Sequence, residues 1–181
     1  MFNILLRKTK LLLLILLFYC REIHSQDQDS SKFIIGIKGL NEMTGATALV
    51  PDKQKVYNYG LLTIYRLGKS KSSIESGVYL IKRKIGIGDY SFNFVHFPIK
   101  YKINFYIFYF SGGLYLDRYF GHNNNKFDSE TNYGFALSLG LEKNIYKRVG
   151  ILLELESTSN LTGQEKFANY GIALGIKYAL K

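Results

Sequence analysis

From Asn132 to Lys143 a bulky apolar residue stands at every second position, and few folds tolerate so strict a period of two. Tyr133, Phe135, Leu137, Leu139 and Leu141 fall on one face of an extended chain, with Asn132, Gly134, Ala136, Ser138, Gly140 and Glu142 on the other. A helix would mix the two sets. The same division recurs in Asn169–Leu180, where Tyr170, Ile172, Leu174, Ile176, Tyr178 and Leu180 oppose Asn169, Gly171, Ala173, Gly175 and Lys177. It recurs again in Arg148–Glu156 and in Tyr57–Leu67, and in weaker form over residues 32–42, 73–83, 91–102 and 105–118. The pattern predicts an all-β chain of eight antiparallel strands, up-and-down, closed into a transmembrane β-barrel.

Which face looks inward follows from side-chain size. A soluble lipocalin-like carrier would turn the bulky residues in and leave Gly, Ala and Ser to water, where their smallness serves nothing. The interior of an eight-stranded barrel is cramped and needs small residues between polar ones, whereas lipid accepts the bulky apolar set. On that orientation Lys38, Arg66, Glu75, His96, Lys100, Glu142, Glu154, Glu156 and Lys177 are the expected lumen charges, with a structural role. Eight strands leave just enough interior for side chains to fill, so opposite charges should pair and plug the barrel. A conduction path along them is the competing expectation.

Spacing points the same way. The gaps Asn41–Val56, Gly121–Thr131 and Ser157–Lys166 are long and polar, those near Gly68–Lys71, Lys102–Asn104 and Asn144–Lys147 are short, and Lys84–Asp89 is intermediate. Long loops outside the cell and tight periplasmic turns give that alternation, with both termini in the periplasm. Tyr57, Tyr59, Tyr115, Tyr119, Tyr133, Tyr170 and Tyr178 lie near segment ends, where girdle aromatics are expected. Pro98 removes a ladder donor, so a bulge or distortion is expected over Phe97–Ile99.

The first 25 residues read as a signal peptide. Arg7, Lys8 and Lys10 precede the apolar run Leu11–Cys20, and Ser25 offers a small residue for cleavage, leaving residues 26–181 as the barrel domain. The apolar run stops at Arg21 and Glu22, short of the roughly 20 residues a spanning helix needs. Cys20, the only cysteine, lies inside this segment, so no disulfide framework is available to the remainder. A lipoprotein anchor at Cys20 is the alternative, although Tyr19 is large for the position before an acylated cysteine.

Formal charge is +10, of which the first 25 positions supply +3, leaving +7. The basic residues are scattered over strand ends and turns, not gathered on one face with stacking aromatics, which argues against nucleic acid as a partner. Outer-membrane lipid and lipopolysaccharide suit exposed rim cations better. Only His96 and His122 follow residue 25, without metal-ligand spacing, and no phosphate loop or nucleophile elbow occurs. GIGDY, at 86–90, is too short for a dinucleotide fingerprint. His122 beside Asp128, Ser129 and Glu130 is the one arrangement that suggests rim hydrolysis, and a polar solvent loop is its plainer reading. No cofactor and no metal are expected, and the chain is read as no enzyme.

The stretch FNFVHFPIKYKINFYIFYFSGGLYLDRYF, residues 92–120, resembles the PorT-like outer-membrane β-barrel domain family. Val95, Phe97, Pro98, Ile99, Tyr101, Gly112, Gly113, Leu114 and Tyr115 carry the resemblance, and His96 stands where the family often has an acidic residue. The resemblance implies an eight-stranded outer-membrane barrel and says little of activity. Such barrels pass through the barrel-assembly machinery, whose terminal aromatic signal would here rest on Tyr178 and Leu180, before Lys181. The expected function is a structural or surface-recognition barrel. A small channel or secretion-associated component is one alternative, and a soluble exported carrier another.

Overall fold

A computed structural model describes residues 31–46, 54–68, 71–84, 91–120, 131–162 and 167–180. The expected signal peptide with Cys20, the 86–90 loop and the His122, Asp128, Ser129, Glu130 group lie outside the described residues. Eight strands follow in chain order: β1 (Phe33–Ala46), β2 (Gln54–Arg66), β3 (Ser72–Lys84), β4 (Ser91–Phe105), β5 (Phe108–Tyr119), β6 (Thr131–Tyr146), β7 (Val149–Asn160) and β8 (Phe167–Ala179). Each pairs antiparallel with the next, and β8 pairs with β1, so the sheet closes as an up-and-down barrel. Closure leaves no edge strand, so each strand pairs on both sides.

The register fixes the barrel's shape. Stepping from Ile35 through its successive partners Thr63, Ser76, Ile99, Leu114, Phe135, Ser159 and Ala168 returns to β1 at Gly45. That stagger of ten residues tilts the strands by roughly 35–45° to the axis. The apolar set faces out: on β6, Tyr133, Phe135, Leu137 and Leu139 are each at least half exposed, as are Tyr170, Ile172, Leu174 and Ile176 on β8. So much exposed apolar surface belongs against lipid, not water.

Inside, bulk is accommodated by glycine across the strand. Tyr79, Tyr109 and Tyr115 point inward and sit directly opposite Gly60, Gly140 and Gly134. A Cβ on Gly140 would lie 2.3 Å from the Tyr109 ring, and one on Gly134 would lie 2.4 Å from the Tyr115 ring and hydroxyl. Each ring therefore lies over a glycine and fills the space its missing side chain leaves.

Several sequence expectations need correction. Tyr115 and Tyr119 are buried in the lumen, because Leu114 and Leu116 take the outward phase of β5. Tyr57, Tyr59, Tyr133, Tyr170 and Tyr178 remain on the outside. The β4–β5 turn lies at Tyr106–Ile107, not at Lys102–Asn104, and Asn144 belongs to β6. β1 and β7 run on to Ala46 and Asn160, so the first and seventh gaps are shorter than expected. Around Pro98 the β3–β4 pairing lapses between Ser76↔Ile99 and Tyr79↔His96 without any shift of register. The Ser76 hydroxyl instead donates to the Pro98 carbonyl at 2.9 Å, and β4 stays fully paired with β5. The irregularity in register falls elsewhere, between Asn144 and Tyr146.

Candidate functional site: an ion-paired lumen

Because the strand period is two, every inward charge arrives in the same confined core whichever strand carries it. β1 supplies Lys38, β3 Glu75, β4 Lys100 and Lys102, β6 Glu142, β7 Glu154 and Glu156, and β8 Lys177. The Lys38 and Lys100 ammonium groups share the same two acceptors. They lie 3.2 and 3.0 Å from Glu154 Oε1, and each is 3.0 Å from Glu156 Oε2. Glu75 is shared by Lys100 at 3.0 Å, Lys102 at 3.5 Å and Lys38 at 3.7 Å. Lys102 then reaches Glu142 at 2.6 Å, and Lys177 pairs with that same carboxylate. Four ammonium groups and four carboxylates thus form one connected network, formally neutral.

Polar neighbours complete it. The Tyr109 hydroxyl donates to Glu154 Oε2 at 2.5 Å, and Lys100 donates to the Ser138 hydroxyl at 3.1 Å. Lys102 stands 3.7 Å over the Tyr109 ring. Nearer the long-loop end, His96 Nδ1 lies 2.5 Å from Asp117 Oδ1, with the rings of Tyr79 and Tyr115 on either side. Asn58 donates to Glu42 at 2.6 Å. The network is closed off by apolar side chains at both ends: Ile34, Leu62, Ile64, Leu152 and Ala179 below, Tyr79, Ile81, Phe94 and Tyr119 above. The space bounded by Lys38, Glu42, Asn58, Tyr79, His96 and Glu156 amounts to about 10 Å³, room for a single water.

Of the nine lumen charges expected from sequence, the structure brings Lys38, Glu75, Lys100, Glu142, Glu154, Glu156 and Lys177 into this network. His96 lies above it with Asp117, and Arg66 is half-buried at the short-turn mouth. Sequence reasoning missed Lys102, Asp117, Glu42 and Tyr109. Lys102 shares the phase of Lys100 and could have been read from it; Glu42, where the 32–42 segment and the first gap overlap, stands two residues beyond inward Leu40 on the same strand. Among the described residues no group of three or more His, Cys, Asp or Glu side chains is arranged to hold a metal. The chemistry available to the network is cohesion: every ammonium group has a carboxylate partner, and none is poised against an open space.

A closed, oil-faced barrel with a salt-filled interior defines the class of small β-barrels that cross membranes with strands. Solved structures of that class share the fold. Neisserial surface protein A superposes with a TM-score of 0.64 at 13% identity, over 83% of this chain and 98% of that one. Ail, the attachment invasion locus protein of Yersinia pestis, bound to the heparin analogue sucrose octasulfate, gives 0.50 at 10% identity over 82% and 99%. The N-terminal β-barrel domain of Pseudomonas aeruginosa OprF gives 0.50 at 13% over 80% and 97%. At such identities the likeness is one of fold. No family model matches the sequence, and no curated protein matches it.

Proposed function

We propose that this chain is a non-enzymatic outer-membrane barrel of structural or surface-recognition role, exported by a signal peptide over residues 1–25 and inserted as residues 26–181 by the barrel-assembly machinery. The observation that carries the reading is the pairing of an apolar outer wall with a lumen filled by ion pairs. The PorT-like resemblance of residues 92–120 is a finer reading of the same kind, and it rests on Pro98, Gly112, Gly113 and Tyr115. A fold shared with an attachment protein, Ail, supports recognition by the outer loops as the role. Lipopolysaccharide and phospholipid are the expected surroundings. A soluble carrier would need a polar exterior and an apolar interior, the reverse of the outward leucines and isoleucines and inward ion pairs of this barrel.

The neutral, capped network counts equally against a channel. In planar bilayers the purified chain is expected to give no steady single-channel conductance, whereas regular open steps would refute the plugged-barrel reading and favour transport. Mild protease on intact cells should trim the long loops and leave the barrel's heat-modifiable gel mobility in place. Loss of binding to a surface partner on trimming would assign recognition to those loops.

A further inference from the structure

Among the described residues every carboxylate turns into the lumen, whereas Lys55 and Lys82 turn outward near the long-loop rim and are exposed. The two lysines bracket Tyr57. Lys55 precedes it by two residues on the same face of β2, and just past the last β2–β3 pair, Tyr59↔Leu80, the Lys82 amide donates to the Asn58 side chain at 2.8 Å. The lysines are thus diagonal neighbours on adjacent strands, about 7–8 Å apart at the backbone, with the Tyr57 ring, 77% exposed, between them. Arg118, a further outward cation near this rim, donates to the Thr131 hydroxyl at 2.7 Å and stands two strands further round.

From Lys55 an apolar groove crosses the outer wall to Phe110 on β5, passing Met43 on β1 and Tyr170 on β8. Between Tyr170 and Leu137, its partners on either side, the outward residue of β7 is Ser157, so the bulky wall is interrupted and Gly171 and the backbone of Ser138 reach the floor. The groove holds about 580 Å³, within the roughly 300–1,000 Å³ of small-ligand sites. It also descends. The stagger that brings Ile35 back to Gly45 makes any row across the strands fall toward the short turns in the order β2, β1, β8, β7, β6, β5. Those five steps of eight lower it by roughly 15 Å along the axis, the depth of one leaflet of a bilayer core about 30 Å thick. A cationic head at the rim and an oily channel running one leaflet deep match the two ends of a single amphiphile.

From this we infer that the groove and its two lysines form a site for one acylated, phosphorylated sugar lipid of the lipid A class, with a phosphate between Lys55 and Lys82, a sugar against the Tyr57 ring and one acyl chain laid past Met43, Tyr170 and Ser157. A zwitterionic headgroup brings its own ammonium and gains less from the lysines, and a free phosphate leaves the groove unfilled. The inference rests on the membrane reading above, which puts the long-loop half in the outer leaflet, and it gives the expected lipopolysaccharide surroundings a defined place on the wall.

Lipid retention by the folded barrel tests it. The chain, folded in a maltoside detergent, is titrated with bisphosphorylated lipid A, with the same lipid stripped of its phosphates, or with phosphatidylglycerol, and bound lipid is counted by native mass spectrometry. One lipid A should bind about tenfold or more tighter than either of the others, the scale of two interfacial cations. K55Q/K82Q should lose this preference, and K143Q/K147Q, which changes two exposed lysines near the opposite rim, should keep it. Ser157→Phe fills the groove and spares both lysines, and it should weaken lipid A by about tenfold; each variant is first checked for its heat-modifiable folded band. Equal binding of the phosphorylated and stripped lipids, equal binding of phosphatidylglycerol, or a preference unchanged in K55Q/K82Q would overturn the site and leave the barrel standing. A chain with no heat-modifiable folded form in vesicles of any lipid would overturn the membrane reading and the site together.

Discussion

Tyr109 serves three neighbours at once. It covers Gly140 across the strand, donates its hydroxyl to Glu154 and offers its ring to Lys102. Gly140→Val would drive that ring away, and a loss of about 2–3 kcal/mol in unfolding free energy is expected in urea titrations from lipid vesicles. Gly112→Ala, whose new Cβ would meet only the flexible end of Leu137, should cost far less. Lys100→Met removes a cation shared by Glu75, Glu154 and Glu156 and should cost about 3–5 kcal/mol, while the same change at exposed Lys55 should be nearly neutral. Lys100 and Glu154 could be found in the sequence because each takes the polar phase between large outward residues, Ile99 and Tyr101 or Leu153 and Leu155. Tyr109 could not: in FYIFYF both phases are large and apolar, so nothing distinguishes the inward ring from the outward ones.

For the strands themselves, the sequence was readable wherever one face was small. β6 and β8 show their phase plainly, glycine and alanine against leucine and isoleucine. It was less readable at the ends. Glu42–Ala46 and Ser157–Asn160 look like loop by polarity, yet they continue strands, because in their β1–β8 and β6–β7 ladders pairing outlasts the apolar wall. The Tyr106–Ile107 turn carries none of the Gly, Asn or Pro that usually announces one, its positive φ being borne by tyrosine. Pro98 brings the distortion expected over Phe97–Ile99 without a bulge: the chain drops two pairs and keeps its count. The Gly77 amide, which faces β4 across the gap while that of Val78 faces paired Leu61, is therefore expected to exchange with deuterium at least about tenfold faster than that of Tyr79, measured by NMR in nanodiscs. Equal protection across Ser76–Tyr79 would show that the gap is closed in solution.

Across the whole barrel, the outward rings mark a height. On β8 Tyr170 and Tyr178 bracket Ile172, Leu174 and Ile176. Eight residues at about 3.3 Å each, tilted by roughly 40°, rise about 20 Å along the axis. A wall that short fits a thin bilayer. Insertion into vesicles of twelve-carbon lipids should be complete sooner than into eighteen-carbon ones, by about tenfold in half-time, followed as the folded band on unheated gels. Similar rates in both would mean that the oily height is misjudged.

The stagger by which the sheet meets itself carries one more consequence. Ten is even, so inward and outward agree when β8 docks on β1. Any misalignment of that final zipping by one residue would push Lys177 of β8, or Lys38 and Glu42 of β1, into hydrocarbon and isoleucines into the salt core. The nearest tolerable error is therefore two residues, and it would change the bore for which Tyr79, Tyr109 and Tyr115 are already cut to size. Correct assembly is thus proofread by geometry: a wrongly matched cylinder cannot shut.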